Sequence, residues 1–403
     1  MVVFSKNRRV SRSRAFNVRA SKALFIRKIK TQVLPHIISD TEKQEWESFF
    51  ERRLPCEFLK EALFYNWPIE VHGAFVDFVV KDPEVLGLDY LEPLDFSIDS
   101  GKYKKIGPRY FRGYRAGLAH IIVIVTPGAQ SVYYHAHFIT TYLEYIAKSS
   151  GAIYAFNYPD LEDRLISVTS LDASIVCKKD IVVIGFAKEL QQMVIGSLSC
   201  SLLSEKNTRY YTSRRYRLKS GYTLNFIEVH YDFMSENGKK LVTQLVYLGA
   251  HQIIYCGRLR TCGNERSHYM RIFSPERYIK LEASLPARYI TQLANPFASA
   301  FSETATHWHL SQDWLSDPEH LDEICCSEGI DSFDNDLSVM ASAIEDANHF
   351  FGKKTSFSPV HFAIDSFDRR RDTSRPYPLI DRCKQSYALR LIATYLSRYF
   401  GGL

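Results

Sequence analysis

The chain has 403 residues, of which 46% are hydrophobic, so it is long enough to form one large domain or two ordinary domains around a sizeable core. It contains no run of about 18 apolar residues, which argues against a membrane-spanning helix. The net charge of +6 is unevenly placed, because residues 1–39 hold ten Lys or Arg and no acid, and the rest of the chain is mildly acidic.

The basic segment 1–39 is rich in Arg and Ser. Its composition is typical of an organelle transit peptide, of an arm that binds nucleic acid or an anionic surface, and of a solvated, flexible extension, and the sequence leaves all three open. The eight cysteines form no CxxC pair, and the N-terminus lacks the apolar core of a secretory signal. We therefore expect reduced thiols and a cytoplasmic protein, with targeting to an organelle as the alternative.

Residues 40–178 are predicted to form an additional N-terminal α/β domain of unknown role. A helix is predicted over 40–66, because apolar residues recur there near helical spacing. A strand over 120–126, a helix over 131–150 and a strand over 152–156 follow as one β-α-β unit of the kind found in parallel sheets.

Residues 179–403 continue the alternation of strands and helices. The predicted elements are a strand over 181–186, a helix over 187–203, a strand over 223–230, a helix over 236–248 and a strand over 251–256. This order predicts a central mixed or parallel sheet with helices on both faces, and the apolar strand 251–256 belongs inside the sheet. Because ligands of such sheets lie at the carboxyl ends of strands, the loop predicted at 257–263 is a candidate binding site.

Two His-x-His pairs raise the question of a metal hydrolase, since imidazole is a common zinc ligand. His135 and His137 fall in a predicted helix, where residues two apart point in different directions. His307 and His309 precede the acidic segment at 334–336. We predict no metal site and no cofactor.

Two segments, 100–117 and 205–222, interleave Lys or Arg with Tyr or Phe. Such segments can contact phosphates and stack on bases, and they can equally form exposed hairpin strands. A nucleic-acid partner is the less favoured of these interpretations.

Four segments of the C-terminal half resemble the nucleoside phosphorylase and nucleosidase superfamily. They are "IVVIGFAKE", "LGAHQIIYCGRLRTCG", "FDNDLSVMASAI" and "PVHFAIDSFDRR". The resemblance covers about residues 180–400, and the order and spacing of the four segments carry it. It implies an α/β fold with a central mixed sheet flanked by helices, a homo-oligomer, and cleavage of the N-glycosidic bond of a purine nucleoside or nucleotide.

The resemblance also implies site residues. Asp365 matches the family's catalytic Asp. Asp336 takes the position of the acid that binds ribose, and Asp334 is the acid before it. Gly257 matches the glycine that ends the family's strand, and Gly185 matches the glycine turn after the first strand.

Two departures from the family bear on the reaction. The family's phosphate-binding Arg, two positions before the strand-ending glycine, is Tyr255 here, and Gly185 is followed by "FAKE" instead of Asp-Pro-x-Arg. Arg258 and Arg260, beside Thr261, are candidates for binding a phosphate that belongs to a nucleotide. The loss of the family's arginines favours water over inorganic phosphate as the nucleophile.

In either reaction the glycosidic bond breaks through an oxocarbenium-like state. Asp365 is expected to protonate or hold N7 of the purine, and Asp336 to bind the ribose hydroxyls. Each assignment has a structural alternative, because acids also cap helices and turns, arginines are often solvated, and glycines form tight turns. The competing function is a non-catalytic module that binds a nucleotide through Arg258 and Arg260.

Overall fold

The computed structural model describes residues 47, 50–51, 53–94, 107–147, 153–233, 235–262, 271–282, 285–311, 325, 327–366 and 379–403. The basic segment 1–39 lies outside the described residues, as do residues 40–46, 48, 49 and 52 of the helix predicted over 40–66. Within the described part, no helix is long and apolar enough to cross a membrane. The chain divides into two compact units, with residues 54–97 and 108–163 in the first and 164–403 in the second.

The first unit contains a five-stranded mixed sheet in the order β2-β3-β4-β1-β5. Its described elements are α1 (Cys56–Phe64), β1 (Ile69–Gly73), α2 (Val76–Lys81), β2 (Tyr90–Pro93), β3 (Arg109–Arg115), β4 (Leu118–Val125), α3 (Ala129–Ala147), β5 (Ile153–Asn157) and α4 (Pro159–Asp163). Strand β1 runs parallel to β4 and to β5, and the β2–β3 and β3–β4 pairs are antiparallel. The predicted β-α-β unit is confirmed by β4, α3 and β5.

Strand β1 carries a buried ion network centred on Glu70. The Arg115 guanidinium donates to both carboxylate oxygens of Glu70, at 2.7 and 3.1 Å. The ring nitrogens His72 Nε2 and His120 Nδ1 lie 3.0 and 2.9 Å from that carboxylate. Burial alone would raise the pKa of Glu70, but the hydrogen bonds from His72 and Arg115 outweigh it and lower the pKa to about 2.

The second unit is built on an 11-stranded mixed sheet. Its described elements are α5 (Leu165–Thr169), β6 (Asp180–Ile184), α6 (Ala187–Ile195), β7 (Cys200–Asn207), β8 (Tyr211–Leu218), β9 (Thr223–Val229), α7 (Glu236–Leu248), β10 (Gln252–Thr261), β11 (Ile272–Phe273), β12 (Arg277–Glu282), β13 (Leu285–Ile290), α8 (Ser302–Ala305), β14 (Trp308–Ser311), β15 (Ser332–Asp334), α9 (Leu337–Phe351), β16 (Ser356–Ser366) and α10 (Leu379–Gly402). Its strand order is β13-β12-β14-β15-β10-β6-β9-β8-β7, and β16 pairs with β10 and β11.

Strand β10 lies inside this sheet, which confirms the prediction for residues 251–256. It runs parallel to β6 over its first four residues and parallel to β16 along its whole length, and its last two residues pair with β15. The prediction of a loop over 257–263 is wrong for residues 257–261, because these residues continue the strand. Pairing with β16 resumes after a register shift between Leu259 and Arg260, and it extends the strand through Arg258 and Arg260.

Helices cover both faces of the sheet, as predicted. Helices α6 and α10 pack in one core cluster with inward side chains of β6, β10 and β16, among them Ile181, Cys256 and Val360. Helices α7 and α9 pack against each other, so closely that a Cβ on Gly238 of α7 would lie 2.5 Å from Met340 of α9. Helix α7 stops at Gly249, whose φ of +91° suits glycine.

The helix predicted over 187–203 is too long. Helix α6 ends at Ile195, and residues from Cys200 onward form β7, which pairs antiparallel with β8. Pairing with β8 overrides the helical pattern of the apolar residues at the end of the predicted helix. For the basic segment 205–222, the hairpin interpretation is therefore the one the fold adopts, and Arg214 of β8 bonds Glu205 of β7.

Residues 164–178 pack with the second unit, although the sequence assigned them to the N-terminal domain. The hydroxyl of Tyr211 on β8 donates to Thr169 at 3.0 Å. The side-chain amide of Asn225 on β9 donates to the carbonyl of Ile175 at 2.9 Å. These bonds hold the connecting segment against the large sheet.

Candidate functional site

Two acids meet where β15 ends and α9 begins. Asp334 is the last residue of β15, and its Oδ1 accepts the backbone N–H groups of Asp336 and Leu337, each at 3.0 Å. These bonds satisfy amides that the first turn of a helix leaves free. Asp336 is the N-cap residue of α9, yet its carboxylate makes no capping bond. The capping role therefore falls to Asp334, and the carboxylate of Asp336 is used elsewhere.

The carboxylate of Asp336 is bound by Tyr255, the residue that replaces the family's phosphate-binding Arg. The Tyr255 hydroxyl donates to Asp336 Oδ2 at 2.7 Å, and both side chains are buried. Burial raises the pKa of Asp336 well above its usual range, and the charge of Asp334 raises it further. Burial, with both acids nearby, also raises the pKa of Tyr255, so the phenol keeps its proton and remains a donor.

Two fully buried histidines complete the cluster. His309 of β14 places Nε2 3.0 Å from Asp334 Oδ1, and His361 of β16 places Nε2 3.7 Å from Asp334 Oδ2. The Ser311 hydroxyl also donates to Asp334, at 2.6 Å. Burial alone would raise the pKa of Asp334, but the two imidazoles and the hydroxyl outweigh it and hold that pKa well below its usual range. Burial lowers the pKa of His361 to about 4.

Two of the predicted glycines are explained by close approach. A Cβ on Gly257 would lie 2.2 Å from His361 Nε2, so this glycine makes room for the imidazole. Gly185 has φ +68°, and its Cβ would lie 1.9 Å from the carbonyl oxygen of Cys256. Gly257 therefore borders the acid cluster, whereas Gly185 shapes the turn after β6.

The remaining predicted residues lie around β10. Arg258 donates to Gln385 of α10 at 2.5 Å and lies 5.1 Å from the ring of Phe186. Because side chains alternate along a strand, Arg258 and Arg260 lie on the face opposite Tyr255 and Gly257. The structure therefore brings Asp334, Asp336 and Gly257 together and places the two arginines apart from them.

Asp365 and Thr261 are placed by their backbones. Asp365 pairs with Arg260 next to the end of β16, and the side chain of Asp365 lies outside the described part of the chain. Thr261 is buried and pairs with Ser332 of β15 and Ser366 of β16. Thr261 is thus a buried residue at the C-terminal end of β10.

Sequence reasoning missed His361, Tyr255 and Ser311 as members of the cluster, and it did not connect His309 with Asp334. His361 lies in the segment "PVHFAIDSFDRR", which resembles the superfamily. A histidine is unusual in an apolar strand, and this was the signal in the sequence that could have identified it. Among the described residues, Asp334, Asp336 and His361 offer three potential metal-ligand atoms within 4.8 Å of one another.

No family model matches the chain. A curated relative, "Oxidoreductase cns1" from Cordyceps militaris, is 23% identical over 386 residues, which are 90% of this chain and 48% of that protein. The chain thus spans about half the length of the curated relative that it matches.

Several solved structures are similar to this chain. Uridine phosphorylase from Vibrio fischeri is 16% identical, with 54% of this chain and 89% of that chain covered and a TM-score of 0.38. Purine nucleoside phosphorylase from Toxoplasma gondii is 14% identical, with 58% and 95% covered and a TM-score of 0.41. Futalosine hydrolase of Helicobacter pylori is 9% identical, with 57% and 100% covered and a TM-score of 0.41. Two of these three structures are named as phosphorylases and the third as a hydrolase.

Proposed function

We propose that the second unit cleaves the N-glycosidic bond of a purine nucleoside or nucleotide, with water rather than inorganic phosphate as the nucleophile. The observation that supports this most is the meeting of Asp334 and Asp336 beside Gly257, at the carboxyl ends of β14 and β15. In the superfamily that the sequence resembles, the ribose-binding acid stands at the position of Asp336.

The chemistry needs hydrogen-bonding oxygens and negative charge near the ribose as the C–N bond breaks. Asp334 is fixed by two backbone N–H groups and the Ser311 hydroxyl, so its charge is held in place before substrate arrives. Asp336 supplies a second carboxyl group at the start of α9. A fixed carboxylate stabilises a developing oxocarbenium ion without the cost of reorienting during the reaction.

Tyr255 supports water as the nucleophile. At its position a phosphorolytic member of the family holds phosphate with a permanently charged Arg, and here a neutral phenol donates to Asp336 instead. An incoming phosphate would meet two carboxyl groups and no arginine on this face of β10, as far as the described residues show. A neutral water molecule is not repelled by these acids.

Asp365 is the proposed general acid at the leaving base. It lies next to the end of β16, the strand that also carries His361, and its backbone pairs with Arg260 of β10. Protonation of N7 turns the purine into a neutral leaving group, and general-acid assistance of this kind typically contributes about 10²- to 10⁴-fold.

The test is release of free base from adenosine, inosine, guanosine, AMP and ATP, followed by chromatography, with and without inorganic phosphate. We expect base release that does not require phosphate, and Asp336→Asn should reduce it by at least about 10²-fold. Asp346→Asn is the matched control, because Asp346 is exposed on the same helix. No base from any substrate would reject the proposal, and strict dependence on phosphate would reject its hydrolytic part. Parallel assays with NAD⁺ and NADP⁺ test the activity named for the curated relative.

A second candidate is a non-catalytic module that binds a nucleotide through Arg258 and Arg260. The observation in its favour is that both arginines are half-buried against aromatic rings, with Arg258 5.1 Å from Phe186 and Arg260 6.0 Å from Phe333. Isothermal titration with AMP and adenosine separates the candidates. A module of this kind binds AMP without turnover, and Arg258→Ala abolishes the binding of AMP. Adenosine binds weakly to the wild type and to Arg258→Ala.

A further inference from the structure

We propose that Asp334, Asp336 and His361 bind one divalent first-row transition ion, of which Zn²⁺ and Mn²⁺ are the test cases. This inference goes beyond the proposed function, because it concerns the resting protein and is tested without any nucleoside. It also departs from the expectation of no metal that the sequence alone supported.

The first argument is the state of the His361 ring. His361 is fully buried, and neither of its ring nitrogens has a hydrogen-bond partner among the residues that the structure describes. Burying polar atoms without partners is costly, and such atoms usually have a protein, water or ion partner. Nε2 faces Asp334 Oδ2 at 3.7 Å, and that oxygen likewise has no hydrogen-bond partner within the described chain. The separation is too long for a hydrogen bond and suits two ligands of one ion.

The second argument is the spacing of the donor atoms. The three ligand atoms all lie within 4.8 Å of one another. Bonds of about 2.0–2.2 Å from an ion to nitrogen or oxygen, set at the tetrahedral angle, place two ligand atoms about 3.3–3.6 Å apart. The 3.7 Å between Asp334 Oδ2 and His361 Nε2 is already close to this separation, and the Asp336 carboxylate oxygen closes the site by a movement of up to about 1 Å. The backbone supports this, because Asp334 is held by the first turn of α9.

The third argument is charge. Asp334 and Asp336 are buried side by side, and no Lys or Arg of the described ranges forms an ion pair with either of them; only imidazoles do so with Asp334. A divalent ion would neutralise both carboxylates at once. His309 and Ser311 would then hold the ligand Asp334 in position, as outer partners of metal sites commonly do.

The donor set selects the class of ion. Two carboxylate oxygens and one imidazole nitrogen suit Zn²⁺, Mn²⁺ and Fe²⁺. Mg²⁺ prefers an all-oxygen shell and keeps several waters, and Ca²⁺ takes six to eight oxygens. A buried site with an imidazole therefore disfavours both, and they serve as negative controls.

The experiment measures ion binding to the full chain after dialysis against a chelator. We expect Zn²⁺ or Mn²⁺ to bind at about one ion per chain by calorimetry and elemental analysis. His361→Ala should weaken this binding by at least about 10- to 100-fold. His251→Gln is the matched control, since His251 is an exposed histidine that precedes β10, and it should bind the ion as the wild type does. Equal binding by His361→Ala and wild type, or no binding by wild type, overturns the proposal.

Two further measurements guard against trivial results. Cysteine thiols can bind Zn²⁺ elsewhere, so the Co²⁺-loaded protein is examined for a thiolate-to-metal charge-transfer band, and its presence in the one-ion complex would overturn the assignment. If His361→Ala fails to fold, the wild type alone decides. Its melting temperature should rise with Mn²⁺ and not with Mg²⁺, and anomalous scattering should place the ion between Asp334 and His361. Ion binding without base release would support this inference and reject the proposed function. Base release without ion binding would overturn this inference and support the proposed function.

Discussion

Replacing Gly257 by Ala tests the close contact between β10 and the buried histidine of β16. A Cβ at this position would lie 2.2 Å from His361 Nε2 and 2.7 Å from its Cδ2, whereas ordinary contacts begin at 3.4 Å. The ring must therefore move by roughly 1 Å in a site where His361 is fully buried. Overpacking of this kind typically costs about 1–3 kcal/mol in the free energy of unfolding.

The assay is urea unfolding of Gly257→Ala beside two other Gly→Ala variants. Gly196 is the matched control, because its φ is −62° and the nearest atom to its Cβ would be 4.0 Å away. That variant should be neutral or more stable by up to about 1 kcal/mol. Gly185→Ala should be the most destabilised of the three, since φ is +68° and the Cβ would meet the Cys256 carbonyl oxygen.

A double mutant separates the contact from a general effect of the methyl group. In Gly257→Ala/His361→Ala the ring is gone, so the added methyl group has space. We expect the double mutant to be more stable than the sum of the single effects by about 1 kcal/mol or more. Strict additivity, or a Gly257→Ala variant as stable as Gly196→Ala, would show that the ring does not occupy this space.

Three further predictions concern other parts of the chain. Glu70→Gln should lower the free energy of unfolding by about 2 kcal/mol at neutral pH, because the folded-state pKa of Glu70 is lowered. In urea unfolding, this loss should shrink as the pH falls from about 4.5 towards 2. The control Glu57→Gln, in an exposed pair with Lys60, should change the free energy of unfolding by under about 0.5 kcal/mol. Asp365→Asn should slow base release by roughly 10²-fold or more and change substrate affinity much less, and equal rates would remove Asp365 from the mechanism. Deleting residues 1–39 should leave the melting temperature nearly unchanged, and a loss of several degrees would show that the segment packs.

The fold was accessible from the sequence wherever one apolar pattern dominated. The apolar run at the start of β10 predicts a buried strand. The helical spacing of the apolar residues in α7 and the glycine at its end predict that helix. The errors lie where pairing overrides local preference. Arg258 and Arg260 are typical of a loop, yet the parallel partner β16 extends β10 through both of them. The residues after α6 likewise follow the pairing with β8 rather than their helical pattern.

The candidate site was only partly accessible, because its members come from four strands and a helix N-terminus. Asp334 and Asp336 are close in sequence and matched a family segment, so they could be found. His361 and Tyr255 belong to strands whose register only the sheet defines, and no spacing in the sequence relates them to Asp334. Gly257 could be explained as a turn glycine, and only the position of the His361 ring reveals its other role.

The position of Arg258 bears on the choice between a nucleoside and a nucleotide. Alternation along β10 puts Tyr255 and Gly257 on the face of the acids and Arg258 on the face of α10, where it donates to Gln385. In the proposed function, a ribose bound by Asp334 and Asp336 carries its 5′-phosphate on the side of the acids, so we expect Arg258 not to bind that phosphate. Under that proposal we expect a nucleoside, rather than a nucleotide, to be the substrate. Arg258→Ala should leave the ratio of kcat/KM for adenosine and AMP within about twofold of the wild type, and a selective loss with AMP would show that the two faces serve one substrate.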